Sequence, residues 1–338
     1  MNVLEEIYEK LYAEKKVLLD KTKSPLPGSR EFAMKHGGAW YQDEKNAGYI
    51  THSGLPKDHC QVIFGDEYKD EAMSFIKKKE KTTLVIPDTH AIPGQDTSRF
   101  LSLGKMIVDR KPDNIVFMGD FVTLESLSAW DLGKAGKMEG KRYSEDCKAG
   151  TQALSYILGP LRDLQLQQAV DGEKIYKPRL IYIMGNHEDR LDRYLATKPE
   201  LSAHLDVAKD LALEDSGFTD IIPYRGFIEL EGVLFTHAVM NAANLAIGGK
   251  TALSTIASAV SKSVVIGHLH RFETVNHYRH GADDIIQIVS SGCFFDGVED
   301  YADGGLNAYW RGVLLLSNYK LGRFDIESIS TDRLVDLY

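Results

Sequence analysis

Cysteine is scarce in this chain. Cys60, Cys147 and Cys293 are the three among 338 residues. So few and so scattered, they exclude a disulfide framework and a thiolate zinc site, and they fit a reducing compartment. Long apolar runs are missing too, and none reaches the roughly 20 residues that cross a bilayer. The opening stretch MNVLEEIYEKLYAEKK lacks the basic-then-apolar order of a secretory signal. The expectation is a cytoplasmic protein with no membrane partner. Positive charge is in deficit as well. The net charge of −9 disfavours unaided binding to long nucleic acid, which leans on many phosphate contacts. No internal repeat is found.

What is present divides into two regions. Leu4, Ile7, Leu11 and Leu18 fall near one face of a helix over residues 1–19, a candidate oligomerisation element. Ser24-Pro25-Leu26-Pro27-Gly28 breaks it. Residues 29–80 are mixed, polar and aromatic, match no known module, and end in the charged run Lys77-Lys78-Lys79-Glu80-Lys81, read as a solvated linker. The division expected is an N-terminal extension over 1–80 and a catalytic domain over 81–338.

After residue 82 the pattern changes. Apolar runs at 83–86, 115–118, 180–184 and 263–266 read as buried strands, and helical stretches such as 98–110 and 144–165 separate the first three. That alternation implies βαβ units and a largely parallel sheet. Runs at 226–230, 232–236, 285–289, 312–317 and 322–328 follow more closely and imply a second, mixed or antiparallel sheet packed on the first. Residues 131–143, DLGKAGKMEGKRY, read as an exposed loop.

Each buried run ends in residues of metal-binding type: Asp88-Thr89-His90, Gly119-Asp120, Gly185-Asn186-His187-Glu188 and Gly267-His268-Leu269-His270. A further strand, 233–236, ends in His237. Ligands of open α/β sheets bind beyond the carboxyl ends of the strands, so these groups are expected to converge. Residues i and i+2 of an extended chain point the same way, so Asp88 with His90, and His268 with His270, can face one cavity. Glycines at 119, 185 and 267 let the backbone turn and approach closely. A lone histidine after a strand is usually structural. Here five of the 11 histidines stand at strand ends beside Asp88, Asp120 and Asn186, too many for independent accidents. Carboxylate, amide and imidazole donors suit Mn, Fe, Zn or Co without selecting strongly among them.

The order D-x-H, G-D, G-N-H-E, H, G-H-x-H over residues 83–270 resembles the signature of the calcineurin-like metallophosphoesterases. Gly-Asn-His-Glu-Asp-Arg followed by Arg193-Tyr194, with the N-terminal extension, is similar to phage-type members. The resemblance implies a four-layer α/β/β/α sandwich holding two divalent metal ions, manganese first, with iron, zinc, cobalt or nickel as alternatives. It further implies that Asp88, His90, Asp120 and His270 hold one metal and Asp120, Asn186, His237 and His268 the other. Asp120 would bridge, a hydroxide shared by the metals would attack phosphorus, and His187 would act as general acid or electrostatic stabiliser.

The match departs from the family at one point. Ser/Thr protein phosphatases of this type carry G-D-x-V-D-R-G, where Asp orients the catalytic histidine and Arg grips phosphate. Here the segment is Gly119-Asp120-Phe121-Val122-Thr123-Leu124-Glu125. Glu125 can stand in for that Asp, with a surface role the equal alternative. Arg190 and Asn186 are the candidate substrate contacts. Lys134, Lys137, Lys141 and Arg142 can steer an anion only if the loop turns them to the site; a solvated loop is the favoured reading. The Asp-rich stretch 296–303 with Gly304-Gly305 reads as a plain loop. Leu124 in place of the phosphate-gripping Arg removes charge and opens an apolar wall, which suits a diester, so the function expected is a phosphodiesterase acting on a nucleotide or short nucleic acid. The alternatives are a phosphomonoesterase such as a Ser/Thr protein phosphatase, and a scaffold that kept the fold and lost catalysis, against which the full ligand set argues.

Overall fold

The computed structural model describes residues 81–338 except 130, 132, 279–284 and 297–308, together with the backbone of two strands further upstream. Those two, β1 (Gly38–Gln42) and β2 (Ala47–Thr51), pair antiparallel with Gly38 opposite Thr51. The expected helix over 1–19, the proline-rich break, the lysine run before Lys81 and the Asp-rich stretch beyond Asp296 lie outside the described residues.

Lys81–Tyr338 forms a unit of its own. Strands β3 (Thr83–Ile86), β4 (Asn114–Phe117), β5 (Arg179–Ile183) and β6 (Asp220–Ile222) run parallel, side by side. The first three are almost wholly apolar because both faces are covered. A second sheet contains β7 (Ile228–Leu230), β8 (Val233–Thr236), β9 (Val264–Ile266), β10 (Phe272–Tyr278) and β11 (Ile285–Ser291), in the order β10-β11-β9-β8-β7. The first sheet is completed by β12 (Gly312–Lys320) and β13 (Arg323–Ser330), giving β13-β12-β3-β4-β5-β6. The fourth buried run of the sequence, β9, thus lies parallel to β8 and β11 in the second sheet, not beside β5.

Three apolar clusters stack the layers. Helices α1 (Ser98–Arg110) and α2 (Tyr143–Asp171) cover the outer face of the first sheet, where Phe100, Leu103, Ile157 and Leu158 meet Leu84, Ile115 and Leu180. Between the sheets, Val85, Val116, Ile181 and Leu314 pack on Val233, Phe235, Val265 and Val289. After α3 (Asp189–Thr197), α4 (Ala252–Ala259) closes the far face with Leu253 and Ile256 against Val264 and Ile288. The terminal α5 (Thr331–Leu337) adds Leu334 to the first cluster. The architecture is therefore the four-layer α/β/β/α sandwich. Among the described residues no helix is long and apolar enough to cross a membrane.

The expected loop over 131–143 is mostly exposed at its described positions, with Asp131, Met138, Lys141 and Tyr143 half-buried, one helical turn at Ala135–Met138, and Tyr143 opening α2. Its lysines are engaged: Lys134 pairs with Asp131 at 3.3 Å and Lys141 with Glu125 at 2.7 Å. Glu125 thereby takes its surface role and does not orient His187.

Candidate metal centre

The loops that leave β3, β4, β5, β8 and β9 meet at one edge of the sandwich and bring the predicted side chains together. Three overlapping groups result: Asp88, His90 and His270; His90, Asp120 and His187; Asp120, His237 and His268. Within each group the donor atoms lie within 4.8 Å of one another. Asp120 and His90 are shared, so the groups form one continuous cluster. Asn186 joins it through its Oδ1, 3.0 Å from His237 Nε2. Asp88, Asp120, His90, His187, His237 and His270 are buried, while Asn186 and His268 are half-buried. The last two mark the open rim.

Local backbone does much of the placing. His90, Asp120, His268 and His270 all have left-handed backbones, with φ of 47°, 48°, 65° and 58°. Each such residue without glycine's freedom costs on the order of 1–3 kcal/mol. The simple i, i+2 geometry of an extended chain therefore does not explain how Asp88 and His90, or His268 and His270, share a cavity. Tight left-handed turns do it. Gly119, at φ 91°, permits the turn before Asp120. Gly185 is needed for a different reason: a Cβ there would collide with the carboxylate and backbone nitrogen of Asp120.

Asp88 accepts from the backbone N–H of His268 at 3.0 Å and lies 3.1 Å from His270 Nε2. Asp120 Oδ1 accepts from His187 N–H at 2.7 Å. Its Oδ2 lies 3.4 Å from His237 Nε2, 3.8 Å from His187 Nε2 and 3.9 Å from His90 Nε2. Burial alone would raise the Asp120 carboxyl, but the imidazoles of His237, His187 and His90 outweigh it and hold it well below the ordinary carboxylate range. His187 is pushed down to about 3 by burial, against the pull of Asp120. His237 goes the other way: burial opposes its charge, but Asp120 and Asp88 raise it to about 10.

The question of what orients His187 is answered by backbone. Its Nδ1 stands 2.8 Å from the Thr123 carbonyl, which fixes Nδ1–H and turns Nε2 towards Asp120. Arg190 donates to the same carbonyl at 3.0 Å, reaches Leu124 O at 3.4 Å, and places Nη2 3.3 Å from His187 Nε2. A guanidinium thus stands beside the histidine although the second motif lacks one. Leu124 itself is fully buried among apolar residues, so it forms no apolar wall for a substrate. Arg193 bonds Asn186 O at 2.8 Å, with its charge balanced by Asp189 at 3.0 Å.

Two features escaped the sequence. Glu188, the last residue of Gly-Asn-His-Glu, is buried beneath the cluster and accepts from several backbone N–H groups around Asp120. Phe295 presses edge-on against His90 and His270 at centroid distances of 4.8 and 5.1 Å. Arg99 and Arg311 hold its loop by donating to Phe294 O and Phe295 O, each at 3.0 Å. The Glu188 signal was visible in the motif; the Phe295 signal was not.

The donor set fits divalent cations. Asp88 and Asp120 are buried carboxylates whose ion pairs, among the described residues, are with imidazoles and with neither lysine nor arginine. Buried charges require pairing or a metal. Mixed oxygen and imidazole donors at this density suit Mn, Fe, Zn or Co.

No family model matches the chain. The Gene 54 protein of Mycobacterium phage D29 is 26% identical over 193 residues, covering 56% of this chain and 69% of the phage protein. Among solved structures, a conserved uncharacterized protein of Streptococcus pneumoniae TIGR4, described as a predicted phosphoesterase, aligns at 11% identity and TM-score 0.33, over 75% of this chain and 92% of its own. A metallophosphoesterase from Sphaerobacter thermophilus aligns at 13% identity and TM-score 0.34, over 75% and 89%. Scores this low carry no weight for the activity. The chain joins Asp88-Thr89-His90, Gly119-Asp120, Gly185-Asn186-His187-Glu188 and Gly267-His268-Leu269-His270 to a four-layer sandwich and a buried histidine and aspartate cluster.

Proposed function

We propose that the chain is a metal-dependent phosphoesterase acting on a phosphodiester of nucleotide size. The observation that carries this is the shared carboxylate: Asp120 belongs to one donor group with His90 and His187 and to another with His237 and His268, while His90 ties the first to Asp88 and His270 and Asn186 bonds His237. Those residues, His187 aside, would hold two divalent cations, with Asp120 common to both. Bound there, the cations would neutralise phosphoryl oxygens and acidify a water near neutral pH.

The chain's own residues do the rest. Asn186 and His268 line the half-open rim where a phosphate enters. His187, with Nδ1–H fixed on the Thr123 carbonyl, presents Nε2 towards the reacting group and can carry a proton to the leaving oxygen once the negative charge of a bound phosphate offsets the burial that keeps it neutral. Arg190 puts one guanidinium beside that nitrogen. The second motif carries Leu124 where protein phosphatases place an arginine that grips a dianionic phosphate, which favours the singly charged diester. The net charge of −9 favours a small substrate over a long duplex.

A second reading, a phosphomonoesterase including a protein phosphatase, draws on the same Arg190, which restores from α3 the cationic grip that the second motif lacks. Turnover of bis-p-nitrophenyl phosphate against p-nitrophenyl phosphate, under one metal condition, separates the two. The diester reading expects at least about tenfold higher kcat/KM for the former, equivalent to about 1.4 kcal/mol. A monoester preference, or efficient dephosphorylation of a phosphopeptide, replaces it with the second reading.

A further inference from the structure

Asp120 has an uncommon backbone for a residue with a side chain. It stands at φ 48°, directly after Gly119 at φ 91°. Successive N–H groups in such a turn point into a shared concavity, which is an anion-binding nest. Here the nest already has its anion. Glu188 Oε2 accepts from Asp120 N–H at 2.9 Å and from Gly185 N–H at 2.7 Å. Its Oε1 accepts from Phe121 N–H at 2.8 Å, from Val122 N–H at 3.4 Å and from the Tyr182 hydroxyl at 3.0 Å. Every partner is a donor, so the geometry is built for a carboxylate, an acceptor at both oxygens. Burial, with Asp120 nearby, pushes the Glu188 carboxyl up, a cost that the donors offset.

The arrangement locks Asp120 twice. Glu188 holds its backbone from below, and His187 N–H holds its carboxylate from the front at 2.7 Å. Both locks come from the turn after β5 and act on the turn after β4. Glu188 does not belong to any of the three donor groups.

We infer that Glu188 is a positioning residue: its carboxylate fills the backbone nest of the Asp120 turn and so preorganises Asp120 for cations. The inference rests on the metal-site reading given above. Neighbours that orient metal ligands typically affect affinity by about 10–100-fold. Glu188→Gln keeps the shape but replaces one acceptor oxygen with an NH₂ that faces N–H donors.

The test is calorimetric titration of the metal-stripped full chain with Mn²⁺. Glu188→Gln should bind at least about tenfold more weakly. Tyr182→Phe, which removes one donor and leaves the nest filled, should stay within about threefold of the parent. Parent-like Mn²⁺ affinity in Glu188→Gln overturns the inference. A second measurement needs no variant. In the metal-stripped parent, the amides of Asp120, Phe121 and Gly185 should resist hydrogen exchange, because Glu188 holds them. Rapid exchange that Mn²⁺ alone suppresses also overturns the inference. If the parent binds no Mn²⁺, the metal reading fails, while amide protection still reports on the nest.

Discussion

Gly185→Ala adds a single methyl where the turn after β5 crosses Asp120. The added Cβ would lie 2.8 Å from Asp120 Cγ, and closer still to its Oδ1 and backbone nitrogen. Non-bonded atoms at ease are about 3.5–4.0 Å apart, so Asp120 must retreat by about 1 Å. Nothing there is a flexible end: the carboxylate is bonded to His187 N–H at 2.7 Å and the backbone N–H to Glu188 at 2.9 Å. Overpacking costs about 1–3 kcal/mol, and each bond lost about 1 kcal/mol more. The expected destabilisation is about 2–4 kcal/mol, together with a marked loss of Mn²⁺ affinity. Gly136→Ala is the matched control. It lies in the exposed helical turn Ala135–Met138 with nothing within 4 Å of the added carbon, so the same methyl should leave stability unchanged or raise it by up to about 1 kcal/mol. Urea unfolding followed by far-UV circular dichroism, with Mn²⁺ titration of both variants, reads the contrast. Equal unfolding midpoints, or unchanged Mn²⁺ binding in Gly185→Ala, would refute the crowding argument.

Three further outcomes follow from the same geometry. His187→Ala should keep bound metal yet lose about 10²–10⁴ in kcat, more on alkyl than on p-nitrophenyl esters, since nitrophenolate needs little protonation; equal losses on both would leave only electrostatic stabilisation. Arg99→Ala removes a buried guanidinium from Phe294 O and from Asp296, and should cost about 1–3 kcal/mol in denaturant unfolding while loosening Phe295 against His90 and His270; unchanged stability and Mn²⁺ affinity would contradict it. Burial pushes the Cys147 thiol up to about 11, so at pH 8 its alkylation, followed by peptide mass mapping, should be about 100-fold slower than that of a free thiol. The sign is that of a raised pKa: this contribution to stability is full below the unfolded thiol value and is lost as pH rises through about 11, and rapid alkylation at pH 8 would count against it.

Much of this was legible in the sequence for a physical reason. Strands buried on both faces must be almost wholly apolar, so β3, β4 and β5 announced themselves. Their polar ends then stood out because Asp88, Asp120 and Asn186-His187 interrupt such runs abruptly. What stayed hidden depends on backbone. The orientation of His187 comes from the Thr123 carbonyl, and every residue type has a carbonyl. The left-handed conformations at His90, His268 and His270 fall on the histidines themselves and not on the glycine that usually marks them. Leu124 read as an opened wall, but it points into the core, and Arg190 supplies the cation from a helix one motif later. Strand β10 was missed because its Phe-Glu-Thr-Val-Asn-His-Tyr run mixes polar residues into a half-exposed edge strand, where only one face is covered. Phe295 follows β11 and reaches the cluster through tertiary packing alone.

One buried cluster, joined by Asp120, is proposed both to hold the cations and to support hydrolysis. The direct measurement titrates the metal-stripped full chain with Mn²⁺ while following bis-p-nitrophenyl phosphate hydrolysis and bound metal together, for the parent and for Asp120→Asn. Activity should be absent at the start, rise with added Mn²⁺ and level off when two ions are bound per chain, and Asp120→Asn should lose both binding and turnover. Undiminished hydrolysis by the metal-stripped parent, or two tightly held ions and full activity in Asp120→Asn, would contradict the account.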